Sequence, residues 1–372
     1  MNPIRVMVVD DSVVVRKIVT DVLSADPGIE VVGTAVNGKV ALAKIEALKP
    51  ELITMDIEMP EMNGIEAVRA IRGGQGGRDH SRVPIIMFST LTERGATATL
   101  DALSAGANDY VTKPANVGSV AESRQNIRDQ LIPKLLALTA ARRLVLKAAP
   151  PVPRTPPPPR APRSTQFAVL AIGCSTGGPD ALAAVLGGLP RDLGVPVVVV
   201  QHMPPLFTRM LAQRLDAGSP LEVREAADGD PLVAGTALVA PGGRHLALRR
   251  TAAGAAVQLN DDPPENFCRP AVDVMFRSVS SVYRDRTLAV VLTGMGRDGA
   301  LGAKVVRDAG GEVFVQDEQT SVVWGMPGAV VSAGQADRVL PLGEVARELA
   351  TALGRRNATQ GASPGATPGV VR

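Results

Sequence analysis

Ile4-Arg5-Val6-Met7-Val8-Val9-Asp10-Asp11 decides the reading of the front of the chain: a run rich in Val and Ile that empties into two acids. An apolar run of this length, ended abruptly by charge, reads as a buried strand. The pattern recurs. Residues 29–34, 52–55, 84–88 and 109–111 read as further strands, and residues 13–23, 38–48, 64–71 and 96–105 as amphipathic helices between them. Alternating β and α predicts a doubly wound parallel sheet with helices on both faces.

In such a sheet the side chains at strand C-termini converge on one edge. Asp10 and Asp11 follow the first strand, Asp56 the third, Ser89 the fourth and Lys113 the fifth. Carboxylates gathered at one edge repel one another unless cations sit among them. A hard divalent ion such as Mg²⁺, with the Lys113 ammonium, resolves that repulsion. Any single acid here also suits a helix N-cap, but capping does not explain all of these positions in order.

The rear of the chain repeats the α/β grammar, with strands expected at residues 168–172, 197–200, 237–240, 288–292 and 312–315. Its first strand runs into Gly173-Cys174-Ser175-Thr176-Gly177-Gly178-Pro179-Asp180, a glycine-rich turn before a helix starting near Asp180. Ser175 therefore stands at a strand end beside a helix N-terminus, where an anionic intermediate is favoured. Gly173-x-Ser175-x-Gly177 satisfies the nucleophile-elbow pattern, although so short a pattern also fits a helix cap. Cys174 is a rival nucleophile, but neighbours on a strand point to opposite faces and a buried thiol suits it better.

A serine nucleophile needs a base, and the chain has three histidines. His80 lies in a Gly/Arg-rich loop of the front module. His202 directly follows the strand at 197–200, which places it on the same edge as Ser175 and favours it over His245, which follows a Gly-rich turn. The strand at 288–292 then empties into Thr293-Gly294-Met295-Gly296-Arg297-Asp298-Gly299. Bare backbone there can offer amides to an oxyanion, and Asp298 can orient an imidazole or cap the helix at 300–308.

Composition sets the outer limits. The net charge is +3, but residues 126–166 carry 8 basic and 1 acidic residue, so both flanking modules are mildly acidic. That excludes a folded domain built to track phosphates, and nine aromatics leave few platforms for stacking bases; no nucleic acid is expected. Two distant cysteines make no disulfide framework, and no apolar run is long enough for a membrane helix, so a cytoplasmic protein is expected. Eight prolines fall between Pro150 and Pro162, which reads as an extended spacer. The expected organisation is a switch module at 1–122, a basic Pro-rich linker at 123–166, an effector module at 167–353 and a disordered tail at 354–372.

The front motifs, Asp10-Asp11, Asp56 with Met59-Pro60 and Gly64, Ser89, and Lys113-Pro114, resemble the receiver domain of bacterial response regulators. The resemblance implies a flavodoxin-like sheet and a phosphoryl group accepted by Asp56 from a histidine kinase. It further implies Mg²⁺ held by Asp10, Asp11 and Asp56, with Ser89, Tyr110 and Lys113 as the switch. The rear motifs resemble the catalytic domain of the chemotaxis methylesterases, the CheB family: the Ser175 turn, Gln201-His202-Met203-Pro204, Arg269-Pro270-Ala271-Val272-Asp273, the Asp298 loop, Gln316-Asp317-Glu318 and Gly325-Met326-Pro327. That resemblance implies an α/β domain with a mostly parallel sheet. Ser175 would be the nucleophile, His202 the base, Asp298 the orienting acid and the Met295 amide an oxyanion donor, with Thr176 and Arg269 lining the site. It implies a phosphorylation-activated enzyme that hydrolyses glutamate methyl esters on methyl-accepting chemoreceptors and deamidates receptor glutamines, with no cofactor for the hydrolysis. Contact with membranes would be peripheral, through the receptors. Control would be steric, the unphosphorylated receiver packing over the Ser175 edge.

Overall fold

A computed structural model describes residues 2–113, 120–147 and 166–354. The expected proline spacer and the tail after Gly354 lie outside the described residues. In the front module, β1 (Ile4–Val9), β2 (Ile29–Ala35), β3 (Leu52–Asp56), β4 (Ile85–Ser89) and β5 (Asp109–Thr112) form one parallel sheet in the order β2-β1-β3-β4-β5. Local chemistry starts the helices between them. Ser12 caps α1 (Val13–Ser24), Asn37 caps α2 (Gly38–Leu48) and Thr92 caps α4 (Glu93–Ser104), each side chain accepting a backbone N–H of the first turn. Asn63 and Glu66 form a reciprocal capping box on α3 (Gly64–Arg72).

The linker boundary expected at residue 123 is corrected. Residues from 120 onward form a fifth helix, α5 (Val120–Lys147), not spacer. Its Ile127, Leu131, Leu135 and Leu138 are buried against Val6, Val8, Phe88 and Val111, completing the second helical layer of the sheet. Pro133 inside the helix and the surrounding basic residues disguised it, since an interior proline ordinarily interrupts a helix. Lys134 of the supposed basic hinge is docked, donating to Asp109 Oδ1 at 2.7 Å and to the Tyr110 carbonyl at 2.8 Å.

The rear module is built on a seven-stranded sheet, all of whose described neighbours pair in parallel. It contains β6 (Val169–Cys174), β7 (Val197–Gln201), β8 (Glu222–Glu225), β9 (Thr236–Val239), β12 (Thr287–Val291), β13 (Glu312–Gln316) and β14 (Arg338–Leu340). An antiparallel hairpin, β10 (His245–Thr251) with β11 (Gly254–Asn260), stands apart. The hairpin, β8 and β14 were not foreseen. Helices α6 (Gly178–Gly187), α7 (Pro205–Gly218) and α11 (Leu342–Gly354) cover one face; α8 (Val272–Tyr283), α9 (Ala300–Asp308) and α10 (Met326–Ser332) cover the other. The central strands run β12-β6-β7, so the loops carrying Asp298, Ser175 and His202 leave adjacent strands at one edge. Helix α4 of the front module lies against α6 and α7 of the rear one.

Candidate active site

Ser175 sits on a tight turn between β6 and α6. Gly177 takes φ 77°, a left-handed conformation natural to glycine, and lets α6 start almost at once. The Ser175 amide donates to the Thr293 carbonyl at 3.0 Å and its carbonyl accepts from Gln201 Nε2 at 3.0 Å, so neighbouring strands clamp the residue from both sides. Gly294 is forced by closeness: a Cβ there would lie 2.9 Å from Ser175 Cβ and 2.3 Å from Met326 Sδ. Among the described residues the amides of Thr176 and Met295 donate to no acceptor. Two unengaged N–H groups flanking a serine, one from the following residue and one from a facing loop, are the form an oxyanion site takes.

His202 follows β7, and its Nε2 lies 2.8 Å from Asp298 Oδ2. Asp298 is buried and further accepts from the amides of Val272 (2.6 Å), Asp273 (3.0 Å) and Gly299 (3.0 Å) and from Asn266 Nδ2 (2.9 Å). Although burial opposes its charge, the His202 bond and these donors hold its carboxyl below the usual range. An ionised, acceptor-only carboxylate fixes the tautomer: Nε2 carries the proton and Nδ1 presents the lone pair. Burial disfavours the imidazolium, but the Asp298 bond and then Cys268 outweigh it and push the His202 pKa up to about 9. Asp298 is not the cap of α9; Gly299 occupies that position without a side-chain cap.

Nδ1 makes no hydrogen bond to Ser175. Its partner is Cys268 Sγ at 3.5 Å, and no hydrogen bond joins Ser175 Oγ to His202 among the described residues. The bases considered from sequence separate cleanly. His245 is buried and spent on structure, with Nδ1 accepting from the Ala271 amide (3.2 Å) and Nε2 facing the Pro263 carbonyl (3.2 Å). His80 stays in a short turn of the front module, Arg78–His80. Cys174 is buried against Gln201 Oε1 at 3.0 Å, and burial pushes its thiol far above the ordinary range. Arg269, expected to line the site, instead binds the carbonyls of Asp261 (2.9 Å) and Asp262 (3.2 Å). Asn266, Cys268 and Gln201 were missed as contributors. Their only sequence signal was position, beside Arg269 and His202.

The front module closes this edge. Thr176 Oγ donates to Asp109 Oδ2 at 2.5 Å in a buried contact, and Asp109 is held in turn by Lys134. The Tyr110 ring stacks on Phe207 with centroids 4.8 Å apart and planes 5° from parallel. Farther out, Arg214 reaches Asp101 (2.6 Å) and Ser104 (2.9 Å) on α4. What remains beside Ser175 and His202 is a cavity of about 20 Å³, room for roughly one water.

At the switch edge the expected residues meet. Carboxylate oxygens of Asp10, Asp11 and Asp56 lie within 4.8 Å of one another. Lys113 Nζ is 2.8 Å from Asp56 and 3.3 Å from Asp10. Burial lifts the Asp56 pKa to about 6 even with Lys113 beside it, so one ammonium does not balance these acids. The hard oxygen donors and the uncompensated charge fit Mg²⁺. Ser89 Oγ is bonded into α4, 2.5 Å from Thr99 Oγ1 and 3.2 Å from the Gly95 carbonyl, and not to Asp56.

Comparison with known proteins agrees with this division. The family profile described as CheB methylesterase matches residues 170–349, and that of the response regulator receiver domain matches residues 6–123. A protein-glutamate methylesterase/protein-glutamine glutaminase of Nocardioides sp. (strain ATCC BAA-499 / JS614) is 56% identical over 96% of this chain and 97% of its own length. Proteins of the same name from Trichodesmium erythraeum (47% identical, 95% of this chain, 100% of the relative) and Geobacillus kaustophilus (43% identical, 95% of this chain, 100% of the relative) align as fully.

Proposed function

This chain belongs to the protein-glutamate methylesterase/protein-glutamine glutaminase family, and from that premise we propose a phosphorylation-controlled esterase that removes methyl groups from receptor glutamates. The observation that carries this reading is the 2.8 Å His202–Asp298 pair beside Ser175 on adjacent strand ends. Ser175 Oγ attacks the ester carbonyl while His202 Nδ1 takes its proton. The oxyanion lies against the Thr176 and Met295 amides. Collapse expels methanol with the proton returned from Nδ1, leaving a glutamyl–serine ester that water, deprotonated by the same nitrogen, hydrolyses to glutamate. A glutamine amide follows the same path with ammonia leaving. Asp298 acts by fixing the tautomer and balancing the imidazolium. The substrates are methyl-accepting chemoreceptors, engaged at the cytoplasmic surface; no described helix is long and apolar enough to cross a membrane.

Control runs through the receiver. Asp56 accepts a phosphoryl group from a histidine kinase; Asp10, Asp11 and Asp56 would hold Mg²⁺, which would offset charge on the phosphoryl oxygens. The new acceptor oxygens draw Ser89 away from Thr99, while Lys113, already beside Asp56, stays paired with the phosphorylated side chain. Tyr110, on the neighbouring strand, then leaves Phe207, and the Asp109–Thr176 bond goes with it. Methanol release from methylated receptor should rise on adding a small acyl-phosphate donor with Mg²⁺, and the rise should vanish in Asp56→Asn. A chain that releases no methanol under either condition refutes the reading.

A further inference from the structure

One side chain near the site has no partner among the described residues. Phe267 is 104% exposed, on a protein with nine aromatics and with every other described Phe largely or wholly buried except the half-buried Phe167. It is not on a loose loop. Glu265 and Cys268 exchange backbone hydrogen bonds at 3.1 and 2.9 Å, and Glu265 makes a two-pronged ion pair with Arg277 at 2.7 and 2.6 Å. Within this closed turn Asn266 (φ 53°) and Phe267 (φ 62°) both adopt the left-handed conformation, which is unusual for non-glycine residues and most of all for a bulky one. The turn is rigid and its strain is spent on holding an apolar ring out in water.

The residues on either side of Phe267 touch the reacting machinery. Asn266 binds Asp298 Oδ1 and Asp273 Oδ2, each at 2.9 Å, and Cys268 meets His202 Nδ1. The receiver covers the site from the side of Asp109 and Tyr110 and leaves Phe267 bare. Whatever seats on the ring is therefore none of the described residues of the receiver. A substrate carried on a folded polypeptide must approach this rim to bring an ester to Ser175. We propose that Phe267 is a specificity-determining contact that grips an apolar patch of the protein bearing the methyl ester. The inference rests on the esterase reading and extends it to how a protein, rather than a small ester, is selected.

The test compares the full chain and its Phe267→Ala and Phe267→Leu variants, all with acyl-phosphate donor and Mg²⁺. Two substrates are used: a methylated receptor cytoplasmic fragment and a short peptide with one glutamate methyl ester. Phe267→Ala should raise KM for the fragment about tenfold with kcat little changed, the size of loss expected from a central apolar anchor. Turnover of the peptide should be unchanged, and Phe267→Leu should recover most of the affinity. Equal losses on both substrates would mean the ring serves the chemistry and would overturn the proposal, as would no loss on either. Reduced binding of Phe267→Ala to anionic lipid vesicles without receptor, at unaltered KM for the fragment, would make it a membrane contact and also overturn it. A wild-type chain that hydrolyses neither substrate would refute the esterase reading itself.

Discussion

Asp109→Ala should unlock the enzyme without phosphorylation. In the closed molecule Asp109 Oδ2 accepts the Thr176 hydroxyl at 2.5 Å in a buried contact, next to Ser175, the proposed nucleophile. A hydrogen bond to an ionised group contributes about 1.5–3 kcal/mol. Asp109 and Lys134 both belong to the receiver, so the loss of their ion pair burdens closed and open states alike, and only the Thr176 bond is specific to closure. Removing that bond should move the equilibrium toward the open form by a factor of about 10 to 150. Basal methanol release from methylated receptor should rise by up to that factor, limited by the rate of the fully phosphorylated wild type. The phosphorylated rate should be unchanged, because the site is already uncovered. An unaltered basal rate in a folded Asp109→Ala chain would show that this contact does not hold the cover shut; a fall in the phosphorylated rate would show that Asp109 serves catalysis.

Other consequences follow from the same geometry. His202 must be neutral to act as base and its pKa is held near 9, so kcat/KM of the unphosphorylated chain should climb with pH through about 9. Cys268 is one of the groups raising that pKa, so Cys268→Ala should carry the climb to lower pH; a shift upward would contradict the assignment. Because the folded pKa lies above the ordinary 6.5, the pair's contribution to stability is complete below pH 6.5 and is lost as pH rises through about 9, which thermal unfolding of wild type against His202→Gln should display. Asp298→Asn should lower kcat by about 10³–10⁴, since the amide favours the wrong tautomer. Gly294→Ala places a methyl against Ser175 and Met326 and should cost about 10²-fold in kcat through misplacement of the nucleophile, with modest change in KM.

Much of this was legible in the primary structure because strand ends are chemically conspicuous. Short apolar runs that stop at Asp10, Asp56, Ser175 or His202 mark both the element and its functional edge, and neighbouring parallel strands bring those ends together. The extent of α5 was hidden because Pro133 and the basic residues outweighed its apolar periodicity in a local reading, although Ile127, Leu131, Leu135 and Leu138 do carry that periodicity. The hairpin β10–β11 escaped notice because its Arg and Gly content gives little alternation. Partnerships across the chain left still less trace. Nothing near Asp109 announces Thr176, 67 residues away, and nothing near Cys268 announces His202. Arg269 was expected at the site only because the family resemblance implied it, and its donors go to the Asp261 and Asp262 carbonyls.

The central claim is that phosphorylation of Asp56 uncovers a reactive Ser175. The rate of covalent labelling by a small fluorophosphonate, with the adduct mapped by mass spectrometry, tests it most directly on the full chain. The adduct should form on Ser175, form faster with acyl phosphate and Mg²⁺, lose that acceleration in Asp56→Asn, and be absent from Ser175→Ala. An adduct on another residue, or a Ser175 rate indifferent to the phosphodonor, would contradict the account.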